Sequence, residues 1–168
     1  TSSPADKVQI YSADADATAG QAQPHVRGEA AAWKDYSILS IVGAHNWTTV
    51  GSVGLQTIVD AQLAVVPVPF LAGTTLTQLR VKWESSGVNG GVKFTLRKRD
   101  ESGTTTAYTT VGAQQTAIGA SANVTTYNFA DEVLDLNTSY ELVIESESPA
   151  AETVNLYAVG FETLIRTL

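Results

Sequence analysis

The sequence predicts an all-β protein, specifically an antiparallel β-sandwich of the jelly-roll type. In residues 79–83 and again in residues 92–96, apolar side chains alternate with polar or charged ones. Alternation with a period of two is typical of strands that have one buried and one solvated face. Clusters of turn residues, such as ESG at residues 101–103, separate further strand-like segments at short intervals. About eight or nine strands at this spacing favour a sandwich.

The composition agrees with a single folded β domain. The chain has 168 residues, of which 43% are hydrophobic and only 16% are charged. A chain of this size buries about two-thirds of its unfolded surface without help from metals or disulfides. Its apolar content is too high for a disordered chain, and its charged residues are too few for long exposed helices.

Charge and cysteine content exclude several classes of function. Asp and Glu outnumber Lys and Arg by 17 to 10, and the net charge of −7 would repel nucleic acid. The absence of cysteine excludes disulfides, a thiolate nucleophile and a cysteine-based zinc site. No apolar run reaches the length of about 18 residues typical of a membrane span, so we expect no membrane insertion. The chain contains no methionine, even at position 1, and we expect it to be a processed or excised piece.

The N-terminal segment, residues 1–24, is predicted to be a flexible arm, or a short strand followed by a linker. The sandwich domain is predicted to occupy residues 25–168. Residues 8–11 have the character of a strand. Residues 13–24 carry no bulky apolar side chain, which is typical of a loop or linker.

The next three segments differ in composition. The alanine-rich residues 29–35 are the best candidate for a short helix. Residues 36–42 are almost continuously apolar and predict a buried strand. Residues 55–70 contain Pro67 and Pro69. Because proline cannot donate a ladder hydrogen bond, this end is predicted to be an edge strand or a strand exit.

The alternating segments 79–84 and 92–99 are predicted to be strands. The turn sequence SSGVNGG between them predicts that they form an antiparallel pair. The basic run at residues 97–99 is followed at once by Asp100 and Glu101, so we expect its charges to pair locally. Further strands are predicted at residues 104–111, 123–130, 139–147 and 153–166.

Three strand-like elements share a pattern with a known family. They are LAGTTLTQLRV at residues 71–81, VKFTLR at residues 92–97 and LYAVG at residues 156–160. Together they resemble the β-sandwich domains of phage tail-fibre and head-fibre proteins and of related bacterial surface proteins. The resemblance implies a module of a virion or extracellular surface appendage, commonly trimeric and bound to other virion or appendage proteins. It carries over no catalytic residue.

Residues 55–70 also bear on the oligomeric state. They carry more apolar surface than one buried strand face requires. Such a surplus often marks an interface, and we therefore predict a homo-oligomer, specifically a trimer.

The sequence contains no recognisable catalytic constellation, and we predict that the protein is not an enzyme. Neither His25 nor His45 is accompanied by the nucleophile elbow of a serine hydrolase. Glu141, Glu145 and Glu147 have the even spacing of a solvated strand face. We predict a structural or adhesive module of a phage virion or surface appendage, that is, a fibre, receptor-binding or capsid-decorating domain. The alternative is a carbohydrate-binding module of a secreted enzyme.

His45, Asn46 and Trp47 are the predicted ligand-binding residues, expected in an exposed loop. The ring of Trp47 would stack on a sugar of a cell-surface glycan, and its two neighbours would fix the orientation by hydrogen bonds. The alternative is that Trp47 folds back and caps one end of the core. Trp83 keeps the phase of its apolar neighbours and is predicted to lie in the core, whereas Trp33 is predicted to anchor the short helix to the sheet.

No cofactor and no metal are predicted. Asp14 and Asp16 resemble the opening of a calcium loop, but Ala19 and His25 stand where an EF-hand needs glycine and a bidentate glutamate. An EF-hand site is therefore excluded. A looser calcium site near the two aspartates stays open as an alternative.

Overall fold

The computed structural model describes residues 9–14, 22–27, 32–70, 72–104, 106–148, 150–164 and 166–167. Most of this part of the chain is antiparallel strand, and two large sheets face each other across one core. The predicted β-sandwich of the jelly-roll type is thus confirmed. The strands are β1 (Gln9–Asp14), β2 (Ala22–Arg27), β3 (Ala32–Ser37), β4 (Ala44–His45), β5 (Thr48–Val50), β6 (Gly54–Thr57), β7 (Leu63–Pro67), β8 (Thr75–Ser85), β9 (Gly91–Asp100), β10 (Thr109–Ile118), β11 (Ser121–Val133), β12 (Thr138–Glu147), β13 (Val154–Leu164) and β14 (Arg166–Thr167).

Helical structure is confined to one turn in the described residues, α1 (Ile38–Ile41). No helix in that part of the chain has the length and apolar character needed to cross a membrane.

The six-stranded sheet is organised around β13. Its order is β11-β8-β13-β6-β5, and β3 also pairs with β13. Along one edge, β13 pairs with β8. Along the other edge, residues 154–156 pair with β6 and residues 158–163 pair with β3. Two short strands therefore cover one edge of β13 in succession.

The five-stranded sheet has the order β10-β9-β12-β7-β4. β9 and β12 pair along their whole lengths. Pro67 is the last residue of β7, which agrees with the predicted strand exit. Its position at the strand end leaves the ladder between β7 and β12 intact up to that point.

Side chains from both sheets fill one core. The inward side chains of β8 and β9, each at most 1% exposed, include Leu79, Val81, Trp83, Val92, Phe94 and Leu96. Burying an apolar side chain of this size contributes roughly 1.5–3 kcal/mol. The indole Nε1 of Trp83 donates a hydrogen bond of 3.0 Å to Thr125 Oγ1, so its polar atom is satisfied. The core position predicted for Trp83 is confirmed.

β8 and β9 lie in opposite sheets, so the prediction that they form a pair is wrong. β8 pairs with β11 and β13, whereas β9 pairs with β10 and β12. Residues 86–90 carry the chain from one sheet to the other. Both strands present their apolar faces to the same core, and this explains why both show the same alternation.

The helix predicted at residues 29–35 and the strand predicted at residues 36–42 are wrong in the described residues. Residues 32–37 form β3, and the helical turn α1 follows with Ile38 fully buried. Trp33 accordingly lies on a strand and anchors no helix. Pairing with β13 outweighs the weak helix preference of so short a segment.

The later strand predictions agree well with the structure. β11, β12 and β13 cover the segments predicted at residues 123–130, 139–147 and 153–166, apart from small shifts at their ends. β10 begins only at Thr109 and continues to Ile118, so the strand predicted at residues 104–111 is displaced.

A three-stranded sheet of order β1-β2-β14 contains both ends of the described chain. β1 agrees with the strand predicted at residues 8–11. Residues 13–14 and 22–24 belong to β1 and β2, so the loop predicted there is wrong. Residues 15–21 lie outside the described residues. The division into an arm at residues 1–24 and a domain at residues 25–168 stays a prediction.

The basic residues 97–99 are all ion-paired, but only Arg99 has the local partner that the sequence predicts. Their partners are Glu141 for Arg97, Glu132 for Lys98 and Glu101 for Arg99. Lys93 contacts both Glu145 and Glu147. The acidic residues of β12 therefore belong to an ion-paired sheet face.

Only part of the apolar stretch at residues 55–70 faces solvent. Leu55 and Val66 are fully buried, whereas Ile58 and Val59 are 56% and 54% exposed. The trimer stays a prediction.

Candidate functional site

The outer face of the six-stranded sheet brings together residues from four separate strands. The alternation of β8 points its apolar side chains into the core, so Arg80 and Lys82 project from the opposite face. In the register of the sheet, Arg80 lies beside Gly160 of β13, and Gly160 lies beside Asp35 of β3. Lys82 lies beside Ala158 in the neighbouring row.

These residues line a cleft of about 420 Å³. Its lining residues are Asp35, Arg80, Lys82, Val124, Ala158, Val159 and Gly160. β13 contributes the small residues Ala158 and Gly160, whereas the charged side chains come from the strands on either side. The small residues of the central strand thus leave room between longer side chains.

Gly160 is required because other side chains pass directly over it. A Cβ atom at this position would lie 2.2 Å from Asp35 Oδ1 and 2.8 Å from Arg80 Cγ. Real Cβ atoms do not approach other atoms so closely. The missing side chain therefore permits Asp35 and Arg80 to meet above β13.

Asp35 and Arg80 form a bidentate ion pair. Arg80 Nε donates to Asp35 Oδ1 at 2.9 Å, and the terminal nitrogen Nη2 donates to Oδ2. The hydrogen bond to Asp35 raises the pKa of Arg80 above its ordinary value. Because the two side chains are 30% and 51% exposed, the pair contributes little to stability. It holds both groups in fixed positions at the cleft.

Trp33 supplies an aromatic ring next to the cleft. It lies beside Glu162 in the register of β3 and β13, and it is partly exposed. The guanidinium carbon Cζ of Arg80 lies 4.3 Å from the centroid of the indole. Such a cation–π contact contributes about 0.5–1 kcal/mol at an exposed site. Arg80 therefore links the aromatic ring to the charged side of the cleft.

Polar groups extend along the same face beyond the cleft. Glu162 Oε2 accepts a hydrogen bond of 2.7 Å from Thr77 Oγ1. In a further row, Gln56 Nε2 donates to Asn155 Oδ1 at 2.8 Å. These side chains are held by their neighbours and provide donors and acceptors on a broad surface.

The arrangement is suited to binding and lacks the elements of hydrolysis in the described cleft. Asp35 is the only carboxylate that lines it, and Arg80 holds both of its oxygens. Hydrolysis of a glycosidic bond generally needs two carboxyl groups on opposite sides of the bond. The cleft instead combines a fixed ion pair, a second cation and small apolar residues.

The predicted site residues lie elsewhere. His45 belongs to β4, at the edge of the five-stranded sheet, and Asn46 N donates to Leu63 O at 2.9 Å. His45 and Asn46 are exposed, and His45 Nδ1 donates to the carbonyl oxygen of Trp47 at 2.9 Å. Neither residue lines the cleft described above. Their role in ligand binding stays a prediction.

The expectation that Trp47 is exposed is wrong. Its side chain is only 4% exposed and packs in the core. The indole Nε1 donates to Gln62 O at 3.0 Å, so the ring turns inward without leaving its polar atom unpaired. The core cap named as the alternative is the position that the structure gives to Trp47.

The looser calcium site near Asp14 and Asp16 stays an open alternative. Asp16 lies outside the described residues, and the side chain of Asp14 is not among those described. In the rest of the described structure, no group of three or more His, Asp or Glu side chains is placed to hold a metal ion.

A second aromatic surface lies on the five-stranded sheet. The guanidinium groups of Arg97 and Arg99 lie 4.4 Å and 4.8 Å from the ring centroid of Tyr108. Arg97 also pairs with Glu141, and Arg99 pairs with Glu101. The cations around Tyr108 are therefore already engaged by carboxylates.

The sequence contained a signal for only part of the cleft. The alternation in the sequence of β8 predicts that Arg80 and Lys82 lie on the solvated face. Trp33 and Asp35 belong to residues 29–35, for which the sequence predicts a helix. Their meeting with Arg80 depends on the pairing of β3 with β13, which no local pattern reveals.

No protein-family model matches the chain, and no curated protein matches it. Solved structures do match. The CBM22-1–GH10 modules of Clostridium thermocellum xylanase 10B, in complex with xylohexaose, have 12% identity and a TM-score of 0.51, covering 86% of this chain and 28% of that chain. The insecticidal crystal protein Cry2Aa has 12% identity and a TM-score of 0.52, covering 85% of this chain and 26% of that one.

A third structure is the CBM36-1 domain of a multidomain xylanase from the hindgut metagenome of Trinervitermes trinervoides. It has 10% identity and a TM-score of 0.48, covering 77% of this chain and 96% of that domain. The solved structures that resemble this chain thus include carbohydrate-binding modules, and none of the three named here is a virion protein. At 12% identity and TM-scores of 0.51 and 0.52, the likeness to the first two structures supports the β-sandwich fold alone.

Proposed function

We propose that the protein is a non-catalytic carbohydrate-binding module that holds a glycan on the outer face of its six-stranded sheet. This is the alternative stated in the sequence analysis. The observation that carries the proposal is the cleft beside Trp33, with the Asp35–Arg80 ion pair above Gly160. A module of this kind acts outside the cell, so we also propose an extracellular location.

The proposal follows from the chemistry of a sugar ring. A pyranose has an apolar face that packs on an aromatic ring, and its rim carries hydroxyl groups that need donors and acceptors. Trp33 offers the ring, while Arg80 and Asp35 offer charged hydrogen-bonding groups in fixed positions. The small residues Ala158 and Gly160 leave space for the sugar between them.

The similar solved structures support this function over a virion role only because they share the β-sandwich fold. A module with this fold occurs in the xylanase 10B structure solved with xylohexaose. The virion or appendage function gains no support from the three structures named above. It stays a prediction.

Binding measurements on single variants test the proposal. We expect the unaltered protein to bind at least one member of a panel that includes xylohexaose, β-1,4-galactotriose and soluble plant polysaccharides. Trp33→Ala should weaken that binding about tenfold, the upper range for one aromatic contact. Isothermal titration calorimetry measures the oligosaccharides, and affinity gel electrophoresis measures the polymers.

Tyr108→Ala is the matched control. Like Trp33, Tyr108 is a partly exposed aromatic residue stacked by arginine, but it lies on the other sheet. The control should keep its affinity, and both variants should keep the wild-type melting temperature within a few degrees. Binding that is unchanged in Trp33→Ala, or absent across the whole panel, would overturn the proposal. Release of reducing sugar from any polymer would contradict the absence of catalysis.

A further inference from the structure

We infer that the preferred glycan carries carboxylate groups, as uronic acids do, and that Lys82 recognises them. This inference rests on the proposed carbohydrate-binding function and names the class of sugar. Lys82 is an exposed residue of β8 that lines the cleft.

Most of the cationic side chains that the structure describes are already engaged. Arg80, Lys93, Arg97, Lys98 and Arg99 each lie within 4.0 Å of a carboxylate. Among the residues that the structure describes, Lys82 has no carboxylate at that distance. Lys34 shares this property, but its Nζ lies 5.4 Å from the ring centroid of Tyr36, and it does not line the cleft.

The charge of the cleft is opposite to that of the chain. The lining residues carry two positive charges, on Arg80 and Lys82, and one negative charge, on Asp35. Their sum is +1, whereas the whole chain has a net charge of −7. Because Asp35 neutralises Arg80 through two hydrogen bonds, the excess positive charge belongs to Lys82.

The neighbours of Lys82 leave its ammonium group without an internal acceptor in the described structure. In the sheet register, Lys82 lies between Val124 of β11 and Ala158 of β13. Glu84, two residues further along β8, accepts a hydrogen bond from the hydroxyl of Tyr157. A carboxylate that enters the cleft would therefore meet a free cation beside apolar side chains.

A carboxylate gains more from such a group than a neutral hydroxyl does. The ammonium group and a carboxylate attract each other as opposite unit charges, whereas a hydroxyl group brings no net charge. The cleft should therefore discriminate between acidic and neutral sugars of the same shape, and discrimination should fall as salt is added.

Chemical reduction provides a matched pair of ligands. Glucuronoxylan and polygalacturonate are each tested before and after conversion of their carboxylates to primary alcohols. The full chain is measured by affinity gel electrophoresis and by calorimetry at low and high sodium chloride. We expect at least one native polymer to bind about five- to tenfold more tightly than its reduced form at low salt, consistent with one charged hydrogen bond.

The variants identify the responsible group. Lys82→Gln should abolish the preference for the native polymer over the reduced polymer. Lys82→Arg should restore the preference, and Lys34→Gln should leave it intact. Melting temperatures establish that each variant is folded.

The outcomes separate the two proposals. Equal binding of native and reduced polymers overturns the acidic-sugar inference but leaves the carbohydrate-binding function standing. A preference that persists in Lys82→Gln overturns the role of Lys82. If neither form of either polymer binds, and the neutral panel also fails, both proposals are wrong.

Discussion

Arg80 and Asp35 are joined by an ion pair although their strands are not neighbours in the sheet. β13 lies between β8 and β3, and the two side chains meet above its backbone at Gly160. The pair thus acts as a bridge across a strand. Its geometry depends on the absence of a side chain at Gly160.

Gly160→Ala should impair ligand binding more than stability. The new Cβ would collide with Asp35 Oδ1 and with Cγ and Nε of Arg80, and both of these partly exposed side chains can rotate away. Rotation breaks the ion pair and moves Arg80 from the ring of Trp33. We expect glycan affinity to fall about tenfold, as for loss of a charge-assisted contact. The melting temperature should change by only a few degrees.

Gly54→Ala provides the contrasting case in the same sheet. There the new Cβ would lie 2.5 Å from the backbone oxygen of Leu156, which cannot move away without disturbing β13. This variant should lose stability without a specific effect on the cleft. If both variants behave alike in denaturation and in titration, the bridge over Gly160 has no special role.

Trp47→Ala should destabilise the fold by about 3–5 kcal/mol, because a large buried ring is replaced by a cavity. Trp47→Phe retains much of the ring but loses the hydrogen bond to Gln62 O, which costs about 1 kcal/mol. Urea denaturation measures both values. Glycan affinity, measured where the variants remain folded, should not change. Loss of binding with wild-type stability would instead place Trp47 in a ligand site.

Stability should depend on pH in the alkaline range through Tyr140. Burial and a hydrogen bond of 3.0 Å to Glu132 raise the pKa of Tyr140 from 10.0 to about 12. Above pH 10 the unfolded chain releases this proton while the folded chain retains it, so the free energy of unfolding decreases as pH rises toward 12. The contribution is fully present below pH 10.

Tyr140→Phe should flatten this dependence in urea denaturation at pH 8, 10 and 11. Tyr157→Phe is measured in parallel, because the hydrogen bond to Glu84 also raises the pKa of Tyr157. The two effects should add, since the residues have different partners. An unchanged slope in Tyr140→Phe would contradict the assignment to this residue.

The exposed pair Ile58 and Val59 tests the predicted trimer. Replacing both by serine removes apolar surface outside the core, and an interface built on them would weaken. Light scattering at micromolar concentration should then show a trimer for the unaltered chain and smaller species for the double variant. A monomer in both cases would end this prediction.

The sequence alone revealed the faces of the strands but not their neighbours. Alternation in β8 and β9 reflects burial of Trp83 and Phe94 in a common core, and either sheet satisfies that condition. The short turn between the strands is compatible with a hairpin and with a crossing between sheets. Only the pairing with β13 and β12 distinguishes the two.

The candidate cleft was largely beyond sequence reasoning because its residues are distant along the chain. Trp33 and Asp35 follow alanines that favour a helix locally, yet the edge of β13 imposes a strand. For Trp47, the polar neighbours in the sequence indicated an exposed ring, whereas the ring is buried. The indole turns inward because a backbone carbonyl is available for its nitrogen.

The position of β13 also constrains how the protein folds during synthesis. β3, β6 and β8 all precede it in the chain, so the six-stranded sheet has an empty centre until residues 154–164 leave the ribosome. Until then the edge of β8 offers unpaired amide and carbonyl groups to any passing strand. Closing such distant contacts is slow. Chains that stop before Val154 should therefore aggregate, and those that reach Leu164 should gain their sandwich in one late step.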